Sequence, residues 1–221
     1  MIQHGFNIKQ ATTEDVPFLV DTIVEAEKSG TDIFTYSTIF GLSEEHARQY
    51  LADMLLEEVD GCELSISSFL LAEKDGMVAG AVGAWIEGFE GMPSSMLKGN
   101  LLNFTLPKQC MEKASALNNI VKELHIEYKD NTIQIGLVYV SSDFRGLGLA
   151  KILIDEQIKR LRQASPGITE SFVQVFGNNQ AAVRSYEKSG YSIVLEKRSE
   201  DPKMVEYFPS STKVLMQRSL V

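Results

Sequence analysis

Apolar and polar residues along this chain follow two periods, and the switches between them outline the elements. Phe6-Asn7-Ile8-Lys9-Gln10 alternates as a strand does. Thr12-Thr13-Glu14-Asp15 then supplies capping oxygens and first-turn acids for a helix that runs through Ala26 and closes near Gly30. Residues 31–42 read as a connection. Ser43-Glu44-Glu45 opens a second helix, whose stripe Ala47, Leu51, Met54, Leu55 keeps helical spacing until Asp60-Gly61. Apolar runs over 65–73 and 77–87 flank Asp75-Gly76, a pair that tolerates positive φ and predicts a β-hairpin. Residues 88–130 are less regular. A loop is expected at 91–95, and one amphipathic helix after Pro107 on Ala114, Leu117, Val121 and Leu124. Thr132 to Val140 reads as a strand with Ile133, Ile135, Leu137 and Tyr139 on one face and Gln134, Gly136, Val138 and Val140 on the other. A helix with Ala150, Ile154, Ile158 and Leu161 on its core side follows, then a strand over 171–176, a helix over 179–189, a strand over 191–195 and a closing strand over 214–217. This order predicts one mixed α/β (α+β) domain over 1–221, with an insertion at 88–130.

The 221 residues are 44% hydrophobic and 23% charged, enough to bury a core and unlike a disordered or low-complexity chain. Uncharged stretches such as 77–86 fall short of the ~18 residues a membrane span needs, and the first residues lack a signal-peptide pattern, so the expected location is the cytoplasm. With 21 Lys and Arg against 30 Asp and Glu, the net charge of -9 argues against nucleic acid and leans slightly toward a cationic small molecule. Cys62 and Cys110 lie in no metal-binding spacing and read as buried thiols; no metal is expected. His4 and His46 read as surface residues.

The chemistry concentrates in Arg145-Gly146-Leu147-Gly148-Leu149-Ala150, between an apolar strand and a helix. The first amides of a helix lack intrahelical partners and sit at the positive end of its dipole, so such a turn suits an anion, a diphosphate included. A turn built only for tight packing has the same sequence. A Walker loop and a dinucleotide fingerprint both fail: no GK[ST] follows, and Lys151 stands where a third small residue is needed.

Arg145-x-x-Gly148-x-Ala150 resembles the Q/R-x-x-G-x-G/A acyl-CoA signature of the GNAT (GCN5-related N-acetyltransferase) superfamily. Residues from Asn179 to Tyr191 resemble its second motif, N-x-x-A-x-x-x-Y-x-K-x-G-F/Y. The resemblance implies a central, mostly antiparallel sheet of about seven strands flanked by helices, with a splayed strand pair that binds acyl-CoA. Residues 88–130 have no counterpart in the minimal fold. It further implies acetyl-CoA as co-substrate and a small-molecule or peptide amine as acceptor, with no metal. Val138, Tyr139 and Val140 would hold the pantetheine arm, and Arg145 to Ala150 the diphosphate. A backbone N–H of Val138 or Tyr139 would polarise the thioester. Pairing of two copies through the last strands is common in the family, which leaves a homodimer open.

Tyr186 stands where the family places a phenol beside the sulfur, able to protonate the departing thiolate; the same spacing also fits a core aromatic. Asn179 can cap its helix, contact the cofactor, or both. Some relatives carry a base as a glutamate on the strand before the turn, but here Gln134 stands there and cannot act. Glu123, His125 and Glu127 alternate just upstream, and any one of them, His125 and Glu127 foremost, is a candidate base or acceptor contact beside the reading of a solvated charged face. The 88–130 insertion, with Trp85 and Glu87 leading into it and Ser94, Ser95 and Lys98 early in it, would shape the acceptor pocket; the competing reading is that its helix forms a dimer surface or covers the core. The first reading is therefore an acetyl-CoA-dependent N-acetyltransferase working by direct attack in a ternary complex. A non-catalytic acyl-CoA binding or sensing module is the alternative, and a nucleotide-binding regulator the third.

Overall fold

A computed structural model describes residues 2–3 and 5–221; His4, expected at the surface, lies outside them, and His46 is exposed. In chain order the described elements are β1 (Ile2–Gln3), β2 (Phe6–Gln10), α1 (Val16–Lys28), α2 (Thr35–Phe40), α3 (Glu44–Leu56), β3 (Phe69–Lys74) and β4 (Met77–Ile86). They continue with α4 (Ser94–Thr105), α5 (Lys108–Ala116), α6 (Asn118–Glu123), β5 (Ile133–Val140), α7 (Leu149–Ala164), β6 (Glu170–Phe176), α8 (Gln180–Lys188), β7 (Ser192–Arg198), α9 (Met204–Tyr207) and β8 (Thr212–Ser219). The strands form one sheet in the order β1-β2-β3-β4-β5-β6-β8-β7, with every neighbouring pair antiparallel except β5 and β6. The expected mostly antiparallel sheet flanked by helices is present, lengthened by the two-residue β1.

One core lies between the sheet and helices α1 and α3, on Leu19, Ile23, Leu51, Met54, Phe69 and Leu71. A second lies under α7 and α8, on Val82, Ile135, Leu153, Ile154, Val173 and Tyr186, and a smaller third joins Ile39, Leu124, Met204 and Phe208. Among the described residues no helix is long and apolar enough to cross a membrane. Cys62 and Cys110 are buried free thiols.

Several expected elements differ. The 31–42 connection contains α2, whose six residues are too short for a period to show. The strand expected from Ser65 starts at Phe69, because 66–68 forms a 3-10 turn. The loop expected at 91–95 is where α4 begins, with Pro93 as its extended N-cap, and the single helix after Pro107 breaks at Leu117 into α5 and α6.

The difference that matters for function is in β5. Gly83 pairs with Leu137 but Ala84 pairs with Ile135, so Gly136 is an extra residue, a β-bulge. A bulge shifts the alternation by one and moves later side chains to the other face. Ile133 and Ile135 pack under α7, while Leu137 joins the α1 core and the Tyr139 ring lies 6.0 Å from that of Phe18 in α1. The even two-face reading of 132–140 is therefore wrong beyond Ile135. The residue is glycine because a Cβ there would sit 2.5 Å from Cζ3 of Trp85, whose ring covers the bulge.

Candidate active site

Beyond the bulge β5 parts from β6. The two strands pair only at Ile133 with Ser171, Gln134 with Phe172 and Ile135 with Val173. β6 continues alongside β8 as far as Phe176. The Ser141 amide donates to the Ala79 carbonyl at 3.0 Å. Bonded pairs alternate along an antiparallel ladder, so Leu137 and Tyr139 share the bonded set facing β4. The backbone groups of Val138 and Val140 are left turned toward the gap. Val138 and Val140 line the resulting cleft of about 1150 Å³, and Tyr139 does not.

At one end the cleft meets the turn into α7. Gly146 and Gly148 have φ of 79° and 74°, and beyond their chain neighbours no atom of the described residues lies within 4 Å of where their Cβ atoms would be. Glycine is thus required by backbone angle, and its bare surface opens on the cleft. No side chain caps α7 and no acid stands in its first turn, which leaves the amides of Leu149, Ala150 and Lys151 to an anion. Arg145 donates from Nε to the Val140 carbonyl at 3.0 Å, which fixes its guanidinium beside the turn. Lys151, Arg184 and Lys188 line the same end. The fold thus collects four basic residues that look scattered in the sequence. Leu147 is 54% exposed and stands outside the cleft.

Asn179 accepts from the Ala182 amide at 3.0 Å and so caps α8. Its Nδ2 donates to Oγ of Ser29, the residue that closes α1, at 3.1 Å, and Asn178 donates to the Ser29 carbonyl. This tether draws the end of α1 against the start of α8 across the cleft. Tyr186 is buried at the cleft wall with its ring edge-on to Tyr191, 6.0 Å between centroids. Burial raises its phenol above the usual value, so it keeps its proton across the physiological range.

The other end of the cleft is lined by charged side chains from separate elements: Glu27, Glu63, Lys98 and Lys213. Lys98 is ion-paired to Glu63, and its Nζ lies 5.3 Å above the Tyr36 ring. Burial pulls that ammonium down, but Glu63, Tyr36 and Glu27 hold it well above its ordinary value. Burial pushes the Glu27 carboxyl up from the ordinary carboxylate value and the Lys213 ammonium down. Tyr128 lines this end too, its ring edge-on to Trp85 at 5.5 Å, and burial raises its phenol.

Glu87 is buried and accepts from Trp85 Nε1 and from the Ser94 amide, both at 2.9 Å. A carboxylate on a helix N-terminus is favourable, so Glu87 anchors α4 and thereby aims Ser94, Ser95 and Lys98 into the cleft. Gln134 is 2% exposed, donates to Thr132 Oγ1 at 2.7 Å and does not line the cleft. Glu123 closes α6 instead of continuing an extended stretch, and it accepts from Ser199 Oγ. From 124 to 128 the alternation holds: Leu124 and Ile126 are buried while His125 and Glu127 are exposed. His125 lines the cleft and Glu127 does not. Burial, then Lys213, lowers the His125 imidazole below its usual value, which makes it neutral at pH 7.

Sequence comparison points the same way as this geometry. Residues 35–191 match the acetyltransferase (GNAT) family model. The chain belongs to the GNAT acetyltransferase family. Solved GNAT structures share its fold at low identity. An N-acetyltransferase from Staphylococcus aureus Mu50 matches with a TM-score of 0.66 at 16% identity, covering 96% of this chain and 99% of that one. YncA, a putative acetyltransferase from Salmonella typhimurium solved with acetyl-CoA, gives 0.54 at 14%, covering 98% and 94%. The PaiA N-acetyltransferase from Thermoplasma acidophilum, solved with coenzyme A, gives 0.51 at 16%, covering 97% and 98%. Among curated proteins none matches the sequence. Among the residues that line the cleft, sequence reading missed Glu27, Glu63, Tyr128 and Lys213. One signal existed: Glu27 continues the α1 stripe of Val16, Leu19, Val20, Ile23 and Val24, a carboxylate at a core-facing position.

Proposed function

We propose that this GNAT protein transfers the acetyl group of acetyl-CoA directly to a primary amine bound in the same cleft. The observation that carries the reading is the gap between β5 and β6, with an uncapped helix start at one end and at the other Glu27, a carboxylate with no ion-pair partner within 4 Å among the described residues. The two neighbours solved with coenzyme A or acetyl-CoA support the choice of donor. The residues fit that donor: an open strand edge accepts an amide-bearing arm as a surrogate strand, and the turn amides with Arg145 match a diphosphate.

Acetyl-CoA supplies an activated thioester. Val138 offers its N–H to the charge developing on the carbonyl oxygen. Glu27 takes the proton that the attacking amine loses, and His125, which lines the same cleft, passes a proton to solvent. The new bond is nitrogen to carbonyl carbon, the broken one carbon to sulfur, and Tyr186 gives its proton to the departing sulfur. The buried free thiols suit a reducing compartment, the cytoplasm.

The test is release of free thiol from acetyl-CoA over a broad panel of primary amines. Turnover is expected; coenzyme A binding without turnover would favour the binding module that Gln134 alone suggests. Tyr186→Phe keeps the ring in place and should lower kcat by about 10²-fold with KM for acetyl-CoA little changed. An unchanged kcat would remove Tyr186 as the acid. Arg145→Glu reverses the charge at the turn and should weaken coenzyme A binding by about tenfold or more in calorimetry. Equal affinity would remove the diphosphate assignment.

A further inference from the structure

Glu27 at the end of α1 and Lys213 at the start of β8 face the same end of the cleft. Lys98 and Glu63 neutralise each other there. Among the described residues neither Glu27 nor Lys213 has an ion-pair partner within 4 Å. Glu27 feels Lys98 first, whose own ion-pair partner is Glu63, and then Lys213; Lys213 in turn feels Glu27, so the two line one end of the cleft more than 4 Å apart. The Lys213 ammonium is also set over the Phe176 ring, 5.7 Å from its centroid, which holds it from one side.

Resting on the acetyl-transfer reading above, we infer that the acceptor is a small zwitterion, an amine whose skeleton also carries a carboxylate. Its amino group meets Glu27 and its carboxylate meets Lys213. The argument is one of unmatched charge. Both groups bear the cost of leaving water, which shows in the displacement of each toward its neutral form. A ligand carrying the two opposite charges compensates both at once. A diamine would satisfy Glu27 and set its second cation against Lys213. A plain alkylamine, or the amino end of a polypeptide with its carboxylate far away, would leave Lys213 unmatched. The ordinary pull of an acidic protein for cations therefore does not decide the acceptor; the local pair does.

The experiment compares kcat/KM for thiol release with matched acceptors: a panel of α- and ω-amino acids, each beside its methyl ester and its decarboxylated amine. At least one amino acid is expected to exceed both of its counterparts that lack the carboxylate by about tenfold or more. In Lys213→Gln that ratio should fall toward unity, mainly through KM, and Lys213→Arg should restore most of it. Thermal midpoints of both variants control for misfolding, and the arginine variant keeps the test alive if the glutamine one is unstable. Equal kcat/KM for acids and esters, or a ratio unmoved by Lys213→Gln, overturns the zwitterion while leaving acetyl transfer intact. Absence of turnover with every amine, while coenzyme A still binds, overturns acetyl transfer itself and the zwitterion with it.

Discussion

Glu27→Gln is expected to lower kcat by about 10²- to 10⁴-fold, the range for loss of a positioned base, with coenzyme A affinity retained. The pH profile should change as well. A general base works in its ionised form, and burial raises the Glu27 pKa. The rising limb of kcat should therefore lie above the ~4.3 of an ordinary glutamate in the wild type, and this limb should vanish in the variant. Stability should move the other way. A carboxyl whose folded pKa is raised binds protons more tightly folded than unfolded, so its contribution falls as pH climbs through that window, and at neutral pH the ionised group is a cost. Glutamine removes the cost, so the thermal midpoint at pH 7 should not drop. A kcat within about threefold of wild type, or a retained limb, would assign the base elsewhere, with His125 next to be replaced.

Gly136→Val is expected to cost about 3 kcal/mol or more, since even a Cβ would lie 2.5 Å from a Trp85 ring atom. The ring cannot simply step aside, because Trp85 is 3% exposed and its Nε1 is bonded to the buried Glu87. At ~2–4 °C per kcal/mol for a chain of this size, the thermal midpoint should fall by roughly 6–12 °C. Because the bulge turns β5 away just where β6 leaves it, coenzyme A affinity should fall with stability. Calorimetry on one sample measures both. An unchanged midpoint would mean that the bulge relaxes freely; a lower midpoint with full affinity would separate the bulge from the cleft.

Local signals carried the frame of the molecule. The alternation at 6–10, the Asp75-Gly76 turn, the stripe of α3 and the Gly146–Gly148 turn each depend on residues close in sequence, and each stands where expected. What failed depends on distant partners. The bulge at Gly136 exists because of Trp85 in the neighbouring strand, and alternation within 132–140 carries no trace of it. The start of α4 depends on Glu87, seven residues before Ser94, accepting its first amide. The charged end of the cleft is assembled from α1, the α3–β3 connection, α4 and β8, so no window of sequence contains it. Glu127 and His125 were paired by alternation alone, which orders a face but does not say what that face looks upon.

The position of β8 has a consequence for synthesis. It follows β7 in the chain yet lies between β6 and β7 in the sheet, and it brings Lys213 with it. On the ribosome, β6 and β7 emerge with no common neighbour to join them. β8 is made after both and pairs with each, so the part of the cleft wall that carries Lys213 is complete only once β8 has docked. Until then the exposed edges are the natural place for a chaperone to hold the chain.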